Sequence, residues 1–179
     1  KMNEPLNEDW ILNSEVPLII SAGRLAPEKG FPDLIMAIKE VVKVKDVRLA
    51  ILGEGPMHEQ LDNLIKTQGL ESKIKLLGFH ENPLKYFKNS DVFVMSSYLE
   101  GFGNVLVEAM MCGCTLVSTD CPTGPNDILD NGNYGYLVGM NDPKDMAKAI
   151  IMAIDNPTPK EVLTKGLERF TEDEVYKRF

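Results

Sequence analysis

The sequence predicts an α/β fold, an open parallel sheet of about six strands flanked by helices. Short apolar runs alternate with helix-length amphipathic segments along the chain, the pattern of a parallel sheet covered on both faces. Glycine-containing loops follow the first two apolar runs, where strands turn into helices. The 179 residues suffice for one domain with a full core and would crowd two.

The elements follow in order. A first strand is expected over residues 16–22, then a helix over 31–44 with Pro32 in its first turn, where its fixed φ suits a helix start. Residues 48–53 form the second strand and 57–68 its helix, which Gly69 ends. The third strand covers 74–77, a short helix 84–88, and the fourth strand 92–95. The next helix runs through 105–114, with Asn104 as a plausible side-chain cap. Strand five is 115–118 and a short sixth is 135–138. Asp142 then caps an amphipathic helix from Pro143 to residue 154. Pro157 and Pro159 break that helix, a polar helical region follows, and Thr171, Glu172, Asp173 and Glu174 match a capping box for a last helix. Three regions result: a lead-in over 1–15, the sheet domain over 16–156, and carboxyl-terminal helices over 157–179.

Composition excludes several classes. Hydrophobic residues make up 44% and charged ones 26%, values of ordinary globular domains and not of disordered or fibrous chains. No apolar run reaches the roughly 20 residues of a membrane span, and no signal segment opens the chain, so a cytoplasmic location is expected. A net charge of −8 argues against a nucleic-acid surface, which needs clustered Lys and Arg. Any anionic ligand must therefore meet local cations. Cys112, Cys114 and Cys121 are odd in number and lie in apolar or loop sequence, which favours reduced, buried thiols. A metal site needs about four ligands, and His58 and His80 are distant in sequence, so no metal is expected. The chain starts at Lys1 and ends at Phe179 inside an apparent helix, and it is expected to be a piece of something longer.

In an open parallel sheet, ligands sit outside the carboxyl ends of the strands. Arg24 follows the first strand directly, and its guanidinium can grip phosphate oxygens as a fork. Lys29, five residues on, can add a point charge, although lysines are ordinarily just solvated. Gly53-Glu54-Gly55-Pro56 after strand two is a loose glycine turn. After strand three come Phe79 and His80, where His80 either touches a nucleobase or is simply exposed. Beyond strand four lies Glu100-Gly101-Phe102-Gly103-Asn104-Val105, leading into a helix that carries Glu108 among apolar neighbours. An unpaired carboxylate there costs on the order of several kcal/mol, so Glu108 needs a partner, and ligand hydroxyls would serve. The glycines permit close backbone approach, and the helix start suits a phosphate. The segment 120–128 after strand five either supports the structure or borders a bound sugar. No G-x-G-x-x-G follows strand one and no Gly-Lys-Ser/Thr occurs, which weakens dinucleotide-oxidoreductase and P-loop assignments.

Taken together, Gly23-Arg24-Leu25 with Lys29-Gly30, Gly53-Glu54-Gly55-Pro56, Leu77-Gly78-Phe79 and the pair Glu100 and Glu108 resemble the carboxyl-terminal domain of retaining glycosyltransferases of the GT-B fold, family GT4. This domain is a Rossmann-like half of that fold. Cys121-Pro122-Thr123-Gly124-Pro125 is most similar to the branch that builds bacterial surface glycans. The resemblance covers about residues 16–179. It implies a donor site for a nucleoside-diphosphate sugar, with UDP favoured, and no cofactor or metal. Arg24 and Lys29 would neutralise the diphosphate and stabilise the leaving group. Glu100 would bind sugar hydroxyls, helped by amides of Phe102 and Gly103, while those of Asn104 and Val105 face the phosphate. Glu108 would take the ribose hydroxyls. Gly23 and Gly101 belong to the same donor loops, and Gly55, Phe79 and His80 mark the nucleobase region.

The resemblance also implies that the acceptor, a glycan or a lipid-linked one, is bound mainly by an amino-terminal domain outside this chain. The final helix would cross back to that domain. This chain alone would bind donor without transferring sugar, and peripheral association of the full-length protein with the inner membrane face stays open. Two alternatives stand beside this one: a sugar-nucleotide epimerase of the same architecture, and a non-catalytic nucleotide-sugar-binding module.

Overall fold

The computed structural model describes residues 2–6 and 8–170. Six strands form one parallel sheet: β1 (Leu18–Ala22), β2 (Arg48–Leu52), β3 (Ile74–Gly78), β4 (Val92–Met95), β5 (Thr115–Thr119) and β6 (Tyr136–Val138). Their order across the sheet is β3-β2-β1-β4-β5-β6. The chain first builds outward from β1 through β2 to β3, then returns to place β4 on the other side of β1. That reversal is the topological switch point, where open α/β sheets leave a crevice at the carboxyl edge.

Side chains on a strand alternate between faces, and the core divides accordingly. Ile19, Leu49, Ile51, Val94 and Val117 pack with α2 (Phe31–Val41), α3 (His58–Thr67) and α7 (Pro143–Asp155). Leu18, Ile20, Leu52, Phe93 and Leu116 face the opposite layer, which holds α4 (Leu84–Lys88), α5 (Asn104–Met111), α6 (Pro125–Leu129) and α8 (Lys160–Leu167). Both faces are thus covered, which is why the strands read as nearly unbroken apolar runs.

Most element positions match expectation within one to three residues. β1 starts at Leu18 and not at residue 16, because Pro17 contributes only its carbonyl, accepting from Arg48 N at 3.0 Å. The lead-in segment is docked onto the domain. It forms a short helix α1 (Asp9–Leu12), buries Leu6 and Ile11, and places Trp10 between the cations of Arg48 and Lys75. The polar region after Pro159 is α8, which lies so close to α5 that a Cβ on Gly166 would stand 2.9 Å from Met110 Sδ. The expected capping box at Thr171, Glu172, Asp173 and Glu174 and the helix after it lie outside the described residues.

Candidate functional site

The carboxyl ends of β1 to β4 enclose a crevice of about 650 Å³. Gly23, Arg24 and Lys29 come from the end of β1, Gly53 and Glu54 from β2, and Phe79, His80 and Pro83 from β3. The segment from Glu100 through Gly101, Phe102, Gly103 and Asn104 to Val105 forms the β4 side. Two cations and two carboxylates thus line one crevice in a chain of net charge −8.

The loop after β1 is clamped across the switch point onto the loop after β4. Pro27–Lys29 make one 3-10 turn, closed by Gly30 at φ +63°. A Cβ on Gly30 would lie 2.0 Å from Ser96 O, so only glycine allows the two loops to meet there. Ser96 Oγ donates to Lys29 O at 2.8 Å, Tyr98 N donates to Glu28 O at 2.8 Å, and Tyr98 Oη donates to Asp33 Oδ2 at 2.6 Å. Burial, with the bond to Asp33, pushes the Tyr98 phenol up to about 12, so it remains a donor at any physiological pH. The clamp sets the Lys29 ammonium against Glu100, with Nζ 2.7 Å from Oε1. Ser97 Oγ donates to the same oxygen at 2.5 Å. Oε2 of Glu100 takes no hydrogen bond among the described residues.

Arg24 differs from Lys29. Its side chain is exposed on the crevice wall and makes no hydrogen bond or ion pair among the described residues, so its five donors are available to an anion. The amino end of α5 lines the same crevice. The first amides of any helix lack intrahelical acceptors and carry partial positive charge.

Asn104 is not the cap of that helix. It is the first helical residue, and Gly103 holds the cap position at φ +89° without any side-chain bond. A left-handed glycine turns the chain one residue earlier than an Asn cap would, and the helix end faces the crevice uncovered. From behind, the β5–α6 loop supports the glycine segment. Thr123 Oγ1 donates to Glu100 O at 2.6 Å, and a Cβ on Gly124 (φ +96°) would lie 1.9 Å from Phe102 O. Residues 120–128 thus support the glycine segment, and none of them is among the residues lining the crevice. Phe102 also meets Phe170 edge-on at 6.0 Å.

Two expected residues sit away from the crevice surface. Gly55 does not line it; a Cβ there would be 2.5 Å from Leu25 O, so this glycine serves close packing between the β1 and β2 loops. Glu108 lies one turn beyond Asn104 and outside the lining residues. It is half-buried, no hydrogen bond or ion pair holds it among the described residues, and burial pushes its carboxyl above the usual range. Its environment is also less enclosed than the apolar sequence suggested, since Met111 on the same helix is 52% exposed.

Phe79 is 68% exposed on the rim. His80 is partly buried: its Nε2 lies 3.0 Å from Leu77 O and its ring 4.5 Å from that of Tyr86. The thiols play no part in the crevice. Cys114 and Cys121 are buried and Cys112 partly so, and all three are free. Burial raises each thiol, that of Cys112 to about 11. Among the described residues no cluster of His, Cys, Asp and Glu is placed to hold a metal ion, and no helix is long and apolar enough to cross a membrane.

Two hydroxyls hold Glu100: that of Ser97, which sequence reasoning missed, and that of Thr123, which it placed in a segment whose role it left open. The signal is their convergence on Glu100 from the ends of the adjacent strands β4 and β5, and it needs the strand order to be visible. The arrangement as a whole can bind an anion at Arg24 and the α5 amides while a carboxylate oxygen, Oε2 of Glu100, accepts from hydroxyl groups of the same ligand.

Comparison with known proteins bears on this arrangement. The family profile described as "Glycosyl transferases group 1" matches residues 3–170. The chain is 38% identical over 132 residues to a Campylobacter jejuni protein named as an N-acetylgalactosamine-N,N'-diacetylbacillosaminyl-diphospho-undecaprenol 4-alpha-N-acetylgalactosaminyltransferase, covering 74% of this chain and 36% of that one. It is 31% identical over 206 residues to an uncharacterized glycosyltransferase of Methanocaldococcus jannaschii, covering 98% of this chain and 51% of the other. The chain therefore spans between a third and a half of the length of these relatives. In three dimensions it is similar to Anabaena HepE, solved with UDP, at a TM-score of 0.82 and 24% identity over 95% of this chain and 49% of that one. A structure of S. aureus TarM with fondaparinux, alpha-GlcNAc-glycerol and UDP gives a TM-score of 0.83 at 24% identity over 99% of this chain and 36% of the other.

Proposed function

This chain belongs to the group 1 glycosyl transferases, and from that premise we propose that its crevice is the donor site of a retaining glycosyltransferase, filled by a nucleoside-diphosphate sugar. One observation carries the proposal: an uncommitted Arg24, an open helix amino end and an uncommitted Glu100 oxygen line one crevice at the switch point. A diphosphate needs the first two and a sugar the third.

In this reading Arg24 takes the diphosphate as a fork, and Lys29 adds its charge on the sugar side. As the glycosidic bond breaks, negative charge grows on the leaving diphosphate, and these fixed cations stabilise it. The amides of Asn104 and Val105 face the phosphate, and those of Phe102 and Gly103 the sugar. Glu100 accepts from sugar hydroxyls. Glu108 accepts from the ribose, which supplies the partner its half-buried carboxylate lacks. The nucleobase lies toward Phe79 and His80. Neither carboxylate acts as a general base; both hold the donor.

We assign UDP as the nucleotide and a hexose as the transferred group. The relatives' printed names support a glycan or lipid-linked acceptor, and transfer itself belongs to the whole protein, of which this chain supplies the donor half. Ligand-observed NMR on this chain tests the site, comparing UDP-N-acetylgalactosamine and UDP-glucose with GDP- and ADP-sugars. Saturation transfer to a UDP-sugar, displaced by UDP, is the expected result. Silence from every nucleotide sugar contradicts the proposal.

A further inference from the structure

We infer that Ser97 is a positioning residue for Glu100: its hydroxyl fixes which carboxylate oxygen faces the crevice, and it thereby governs recognition of the donor's sugar and not of its nucleoside diphosphate. The inference rests on the donor site proposed above.

Ser97 is 1% exposed, and its Oγ has one acceptor among the described residues, Glu100 Oε1 at 2.5 Å. Its backbone is fixed in turn, since Thr119 Oγ1, buried at the end of β5, donates to Ser97 O at 2.5 Å. The anchor is therefore built from the sheet, at the ends of β4 and β5. A glutamate's last torsion is broad and nearly two-fold, so an untethered carboxylate turns easily and presents either oxygen. A charge-assisted bond from a rigid hydroxyl removes that freedom.

Lys29 reaches the same oxygen at 2.7 Å, yet the two contacts are not equivalent. The lysine ammonium sits at the end of a flexible stem, and its other donors are required by the diphosphate. The neighbouring hydroxyl of Ser96 is spent on Lys29 O, and Thr123 holds only the backbone carbonyl of Glu100. Ser97 is thus the one side chain among the described residues committed to the carboxylate alone, and its bond remains when Lys29 turns toward phosphate. Oε2 is left for the sugar.

The test is calorimetric titration of this chain, of Ser97→Ala and of Ser97→Thr, each with UDP, UDP-N-acetylgalactosamine and UDP-glucose, alongside thermal melting. For Ser97→Ala the expected result is a loss of roughly fivefold to twentyfold in affinity for a nucleotide sugar, the scale of one hydrogen bond to a charged group. UDP affinity stays within about twofold and melting shifts little, because Lys29 still holds Glu100 in the unliganded chain. Ser97→Thr, which keeps the hydroxyl, restores sugar-nucleotide binding; should its extra methyl prevent folding, the alanine comparison decides alone. Equal loss of UDP and nucleotide sugar, or no loss of either, overturns the inference and leaves the donor site standing. Failure of the unaltered chain to bind any of the three overturns both.

Discussion

At the scale of single residues, the crevice is organised by which charges are already spent. Lys29 and Glu100 neutralise each other at 2.7 Å, Arg24 is uncommitted, and Glu108 is desolvated without a partner. Glu108 leads to a pH prediction. Its carboxyl titrates above that of the unfolded chain, so the folded form holds the extra proton in the window between the two values. Stability therefore declines as pH rises through that window. Glu108→Gln removes the charge, and its melting temperature should exceed that of the unaltered chain at pH 7 by roughly 1–3 °C. Near pH 4 the two should converge. Melting followed by circular dichroism across that range checks it, and a constant offset at all pH values would contradict the assignment. The same substitution should weaken nucleotide binding if Glu108 holds ribose. Arg24 and Glu108 stood out in the sequence because one directly follows an apolar strand and the other interrupts an apolar helix, whereas Lys29 and Glu100 gained their expected roles from the family resemblance. Ser97 did not stand out, because a serine at the end of a strand gains meaning only when the sheet brings Glu100 and Lys29 to it.

At the scale of elements, loop geometry decides the site more than helix or strand propensity does. Gly30 and Gly124 allow approaches that a Cβ would block at 2.0 and 1.9 Å, and these approaches fix the walls on either side of the α5 amino end. The central strands and the α7 start were legible because apolar periodicity and cap chemistry are local signals. Asp142 Oδ1 does accept from Asp145 N at 3.0 Å. Asp142→Ala should cost about 1 kcal/mol, seen as a melting point lower by roughly 2–4 °C, with nucleotide affinity unchanged because α7 lies on the far face. Coupled loss of binding would show that the two faces are not independent. The start of α5 was misjudged for a local reason: Asn is a strong cap former, but a left-handed Gly103 takes the position first. Helix α6 was missed because Pro, Thr and Gly dominate its approach, and Arg169 supplies its end from elsewhere by donating to Asp127 O and Ile128 O.

At the scale of the whole molecule, alternation of elements announced a parallel sheet, while the strand order 3-2-1-4-5-6 required the structure. That order puts segments 71 residues apart, Lys29 and Glu100, into one ion pair and gathers four strand ends around one crevice. The central claim is that this crevice receives a nucleoside diphosphate through Arg24 and the α5 amides. Arg24 is exposed and makes no hydrogen bond or ion pair among the described residues, so Arg24→Ala should leave the melting temperature within about 1 °C. Its lost charge-assisted bonds, worth about 1.5–3 kcal/mol, should weaken UDP binding by roughly tenfold or more. Isothermal titration of UDP into this chain and into Arg24→Ala measures this directly. Saturable one-to-one binding that the substitution weakens at unchanged stability is the predicted result; no binding, or equal binding to both proteins, would contradict it.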